Sequence, residues 1–132
     1  IAAVAEMEEG LELLRQDAGP DGSADRYAIA AFRMVLSFAR ATPSRRLREM
    51  LVSFSLQTLR YSKLGFTVAR RRKESLVTWQ RLVGFFKSND VIGARTLIEE
   101  HIDGSYRLVV SVMKDQSKVI SIKKSSRGGK RE

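Results

Sequence analysis

The chain has no cysteine, which excludes disulfides, thiolate catalysis and cysteine-ligated zinc. A reducing, cytoplasmic setting fits that composition. There is one histidine, His101, and a lone imidazole without thiolates cannot build a His/Cys metal site. Long apolar runs are missing: hydrophobic stretches extend only a few residues, against the about 20 needed to span a bilayer. The opening residues IAAVAEMEEG carry acids where a signal peptide needs bases. The sequence also lacks a glycine-rich phosphate loop, an HExxH zinc motif, a GxSxG nucleophile elbow and a pair of carboxylates on an interior face. An enzyme reading therefore lacks its parts, and no cofactor is called for.

What remains is an ordinary composition for one globular domain: 132 residues, 43% hydrophobic and 30% charged. The net charge of +9 is unevenly spread. Residues 1–25 hold seven acids against one base, whereas residues 26–73 hold twelve bases against one acid and peak at Arg70-Arg71-Arg72-Lys73. Residues 74–116 are nearly neutral, and the end of the chain, SKVISIKKSSRGGKRE, is basic again. Its Ser, Gly and Lys/Arg content reads as disorder. Residues 1–115 are thus expected to form one helical domain and residues 116–132 a flexible basic tail. Opening on Ile rather than Met, the chain is expected to be a piece of something longer.

Helical periodicity organises the domain. The stretch from Asp90 to Met113 repeats Ala94, Leu97, Ile98, Ile102, Ser105, Leu108, Val109 and Val112 at steps of three and four, which predicts one long amphipathic helix. His101 falls inside that stripe and is aimed at the interior. Residues 1–16 place Ala3, Met7, Leu11 and Leu14 on one side, and DAGPDG at 17–22 ends that helix. A second helix, capped by Ser23 or Asp25, runs to about Ala41 and is apolar almost all round, as a central helix would be. After Thr42-Pro43-Ser44, a third carries Leu47, Met50, Leu51, Phe54, Thr58 and Tyr61 to Gly65. The run FTVARRRKE shows no clear period and reads as a fraying connection. Leu76, Trp79, Leu82, Val83, Phe85 and Phe86 then resume helical spacing. Five helices on short turns predict an all-α antiparallel bundle.

Three residues carry two readings each. His101 is either a core histidine satisfied by a neighbour or a ligand or proton-sensing group. Arg33 shares a stripe with Arg26, Ser37 and Arg40, which reads as a solvated face, against an anion-binding arginine buried in the bundle. Trp79 is a large core side chain whose indole N–H needs a partner if buried. The basic run 70–73 reads as solvated, with no aromatic interleaved to favour single-stranded nucleic acid.

Two stretches carry a family resemblance. SLVTWQRLVGFFKSNDVIGARTLIEEHI, 75–102, resembles the closing part of the effector-binding C-terminal (FCD) domain of GntR-type transcription regulators of the FadR subgroup. Asp90, Ala94, Arg95, His101 and Ile102 match its pattern. AAFRMVLSFARATPSRRLREML, 30–51, is similar to an earlier helix of that domain, with Phe32, Ala39 and Pro43 in matching positions. The similarity spans roughly residues 1–115.

The resemblance implies a FadR C-terminal-domain-like helical bundle that forms a homodimer and holds a small organic acid or acyl ligand in a central cavity. DNA would be read by an N-terminal winged helix-turn-helix absent from these residues. In many members of the family one Asp and three His hold a divalent metal in the cavity, at positions that fall here on Ile29, Arg33, Trp79 and His101. Only His101 is a ligand type, so the resemblance implies a metal-free site. Arg33 and His101 are then expected to receive the anionic group of the effector, with Trp79 and Ile29 beside its body. The competing expectation is a helical protein-interaction or nucleic-acid-binding module using the basic surface.

Overall fold

The computed structural model describes residues 2–128, apart from the side chains of Ser105 and Arg127. Five helices form: α1 Ala2–Asp17, α2 Ala24–Ala41, α3 Arg45–Gly65, α4 Ala69–Lys87 and α5 Val91–Gly128. Three of the starts, those of α2, α3 and α5, have a side-chain cap, and α4 begins after Val68 without one. Ser23 Oγ accepts from Arg26 N at 3.2 Å and Ser44 Oγ from Leu47 N at 3.3 Å, each satisfying a first-turn amide that helix geometry leaves unpaired. Asp90 Oδ1 does the same for Gly93 N at 2.9 Å. Asn89 makes the α4–α5 turn at φ 56°, a left-handed conformation that asparagine tolerates better than most residues.

The helices close a ring: α1 packs on α2 and α4, α2 on α3, α3 on α5, and α5 on α4. At its centre Met7, Leu11 and Leu14 of α1 meet Tyr27, Ala30, Ala31 and Met34 of α2, with Phe66 and Val83 closing the cluster. The acidic face of α1 answers basic residues elsewhere, Glu6 pairing with Arg40 and Glu8 with Lys87. The expected stripe of α1 and the central position of α2 hold.

Three expectations change. α3 has its apolar stripe, but Leu47, Met50, Phe54 and Tyr61 are 47%, 59%, 65% and 43% exposed, and Gly65 is the helix's only buried residue. The half-buried face is the one carrying Leu51, Val52, Ser55 and Leu59. Next, the stretch expected to fray is helix from Ala69 onward. Its period is hidden in the sequence because Arg71 and Arg72, cations of a kind that ordinarily face solvent, are buried, at 8% and 3% exposure. Finally, the expected disordered tail is helical as far as Gly128; between Gly104 and that residue the chain holds no glycine or proline to break it. From Met113 to Ser126 every residue is exposed, so this segment extends beyond the packed bundle. Residues 129–132 of the expected tail lie outside the described residues.

Candidate functional site

Adjacent arginines at the start of α4 turn into the bundle and do different things. Arg72 is spent on main chain. Its Nε donates to Asp17 O at 2.9 Å, Nη1 to Phe66 O at 2.6 Å and Nη2 to Gly19 O at 2.7 Å. Those carbonyls belong to the α1–α2 turn and the α3–α4 turn, so one guanidinium ties two loops together. The Asp17 carboxylate nearby accepts from Ser23 N at 2.9 Å and from Arg26 Nε and Nη2. The Arg26 hydrogen bond first, and the Ser23 amide next, hold its pKa below the ordinary value.

Arg71 instead reaches α5. Its Nη2 lies 3.1 Å from His101 Nδ1 and 3.2 Å from His101 O. A guanidinium can only donate, so Nδ1 must accept, and the ring is the neutral tautomer with its proton on Nε2. Burial, and then the Arg71 charge, push the His101 pKa down from 6.5 to about 4. Burial also lowers the Arg71 pKa, opposed by Glu74, whose Oε2 stands 3.7 Å from Nη1 at the rim.

Around this pair lie polar atoms with no counterpart. Trp79, two turns along α4 from Arg71, sets its ring edge-on to His101 with centroids 6.5 Å apart and stacks with Phe38 at 5.8 Å. Its Nε1 is buried without a hydrogen-bond partner among the described residues, and so are Tyr27 Oη and Ser75 Oγ. Tyr27 and Ser75 are wholly buried. Burial raises the Tyr27 pKa to about 12, tempered by the neighbouring Ser75 hydroxyl and the two arginines. Tyr27 and Ser75 are close enough to influence each other but lack hydrogen-bonding geometry. Buried polar atoms are nearly always paired, so three orphans in one neighbourhood mark a place where a partner is due.

The structure brings together two of the four expected site residues, Trp79 and His101. Ile29 is 40% exposed and Arg33 is exposed as well. Both stand on the face of α2 opposite Tyr27, Ala31 and Met34, because positions 29 and 33 share one side of a 3.6-residue helix and the core takes the other. The arginine beside His101 is therefore Arg71 rather than Arg33. Tyr27, Ser75 and Arg71 were missed. The signal for two of them was present: positions 71, 75 and 79 lie at steps of four on one face. The run 70–73, expected to be solvated, buries two of its four cations, Arg71 and Arg72.

Open clefts of about 710 and 400 Å³ lie along the later part of α5, lined by Leu59, Arg60, Tyr61 and Met113 in one case and by Met113, Lys114 and Lys118 in the other. None of the Arg71 cluster lines them.

A divalent metal does not fit the donors present. Among the described residues no three of His, Cys, Asp or Glu come together. The one imidazole in the cluster has its Nδ1 occupied by a guanidinium, which repels a dication.

Residues 2–104 match the family model of the FCD domain. The chain belongs to that family, the C-terminal effector-binding regulatory domain of GntR-family transcription regulators. No curated protein and no solved structure matches it. Among the described residues no helix is long and apolar enough to cross a membrane.

Proposed function

We propose that this FCD domain senses a small organic acid without a metal, at the cluster formed by Arg71, His101, Trp79, Tyr27 and Ser75. The observation that carries the reading is the buried guanidinium of Arg71 set against a neutral imidazole, with three unpartnered buried polar atoms nearby. A carboxylate arriving there would compete with His101 and Glu74 for the Arg71 guanidinium, whose planar fork of N–H donors matches two carboxylate oxygens. Phe38, Trp79 and Phe86 form an aromatic wall for an apolar body.

The domain acts as a homodimer in this reading. The exposed stripe Leu47, Met50, Phe54 and Tyr61 on α3 supports pairing, since contiguous apolar surface of this kind is unusual on a monomer. DNA recognition is assigned to the winged helix-turn-helix that accompanies such domains and not to this bundle. The ligand acts by preferring one arrangement of the two DNA-binding parts, because only differential affinity can move such an equilibrium. Arg71 on α4 grips α5 through His101, so an acid that draws the guanidinium away loosens α5, the longest element of the fold.

The test is a thermal-shift screen against carboxylic acids, sugar acids and acyl thioesters, each run with and without chelator. Binding to the native state alone raises the melting temperature in proportion to the logarithm of ligand concentration. The expected result is a shift from an anionic compound that ignores chelator and is lost in Arg71→Met. A shift abolished by chelator would overturn the metal-free reading.

A further inference from the structure

α5 continues well past the end of the family match. The match stops at residue 104, whereas the helix runs to Gly128, and from Met113 to Ser126 every residue is exposed. That exposed segment holds four lysines, Lys114, Lys118, Lys123 and Lys124, against one acid, Asp115. Earlier in the same helix Arg95 pairs with Glu99 and Arg107 with Asp103. None of the four lysines enters an ion pair among the described residues.

Helical geometry gathers hydrogen-bond donors on one side of this segment. Steps of four and three lead from Arg107 through Ser111, Lys114, Lys118 and Ser121 to Ser125, so these six share one face of α5. At about 1.5 Å per residue the stripe is about 27 Å long. It contains no acid: Glu100 and Asp103 precede it, and Asp115 stands on another side of the helix. Guanidinium, ammonium and hydroxyl groups are the side-chain donors that hold phosphate oxygens without reading bases.

The composition of the segment decides among polyanions. No aromatic lies on the stripe, so the bases of a single strand have nothing to stack on. The apolar residues Val119, Ile120 and Ile122 share their side with Asp115, Gln116 and Lys123, and so form no clean face for a bilayer. A nucleic-acid duplex, carrying one negative charge per about 1.7 Å of its axis, is the dense linear anion that a row of unpaired cations and hydroxyls matches.

We propose that the projecting part of α5 grips the phosphate backbone of duplex DNA, through Lys114 and Lys118 with Arg107 and the serines on their face. The contact reads no sequence. It adds affinity to a duplex that the DNA-reading part of the regulator holds close by, where tethering lets a weak contact count. It is independent of the acid-binding cluster, and its failure leaves that reading untouched.

Fluorescence anisotropy of a labelled random-sequence duplex, titrated with the whole chain between about 50 and 200 mM salt, tests it. Two double variants remove the same charge from different faces: Lys114→Gln with Lys118→Gln on the stripe, and Lys123→Gln with Lys124→Gln off it. All four side chains are exposed, so the fold is spared, and circular dichroism checks the helix. The expected result is binding that weakens steeply with salt. The stripe variant should lose about tenfold or more in affinity at about 100 mM salt and lower the logarithmic salt slope by about 1.8, with the other variant changing affinity less than about threefold. Equal losses from the two variants would overturn the stripe, because overall charge would then explain the binding. A duplex that does not bind, or binds no better than polyglutamate or a single strand, would overturn the duplex contact itself.

Discussion

Arg71 and Arg72 are neighbours in sequence and both are buried, yet the regions around them are built on opposite terms. Around Arg72 the polar accounting is closed. Three carbonyls, the guanidinium, the Asp17 carboxylate and the Ser23 amide all find one another across the α1–α2 and α3–α4 turns. Around Arg71 it is open, with Tyr27, Ser75 and Trp79 each presenting a buried polar atom to nothing among the described residues. A buried charge whose surroundings are fully satisfied fixes a fold. One surrounded by unmet hydrogen-bonding capacity stores a preference for a ligand.

The comparison would break most visibly at the closed region. Arg72→Met should destabilise the domain by about 3–5 kcal/mol in denaturant titration, because it leaves the carbonyls of Asp17, Gly19 and Phe66 without their donor. A loss under about 1 kcal/mol would mean that the clamp is dispensable. Gly22→Ala should act on the same turn, since an added Cβ would lie 2.1 Å from Asp17 O and main chain cannot yield there. Arg71→Met should cost much less in the same titration, because removing a desolvated cation offsets the lost hydrogen bonds.

Acid sharpens the contrast through the open region. The folded state holds the His101 pKa at about 4 against an ordinary 6.5, so the unfolded chain takes up the proton first as pH falls. Stability is therefore complete above pH 6.5 and declines toward pH 4, by roughly 3 kcal/mol in all. Asp17, with its lowered pKa, adds a further loss in more acid solution. His101→Gln should remove the first part of the decline and spare the second, as read from chemical denaturation across the pH range. The smallest effect is expected at the orphans: Tyr27→Phe should change stability by less than about 0.5 kcal/mol, below the usual cost of deleting a hydrogen-bonded hydroxyl.

Much of this architecture was legible in the residues. DAGPDG, the serine caps and Asn89-Asp90 divide the helices where the structure divides them, because glycine, proline and short polar side chains govern local backbone geometry. The inward aim of His101 held, although the face that turns inward carries Leu97, Gly104 and Leu108, and the Ile98 and Ile102 of the expected stripe are 41% and 61% exposed. What escaped was everything decided by a distant partner. Arg71 and His101 are 30 positions apart, and Arg72 and Asp17 are 55 apart. No periodicity announces that a cation has a carbonyl waiting for it, so ARRRKE read as solvated chain when it was helix. The basic tail failed for a related reason, since low hydrophobicity argues against a packed core and not against a helix continuing out of one. Position-by-position transfer from the family pattern pointed to Arg33 on α2, whereas the arginine beside His101 is Arg71 on α4.

The central claim is that Arg71 keeps the sole histidine neutral with Nδ1 unprotonated, in the cluster proposed to receive an organic acid. Nitrogen-15 NMR of the His101 ring reads this directly, with no overlap because the chain has only one histidine. The account predicts an unprotonated Nδ1 and a protonated Nε2 at neutral pH and a titration midpoint near 4, with the Nδ1 resonance moving when an organic acid that shifts the melting temperature is added. A midpoint near the ordinary 6.5, with the proton on Nδ1 at neutral pH, would contradict it.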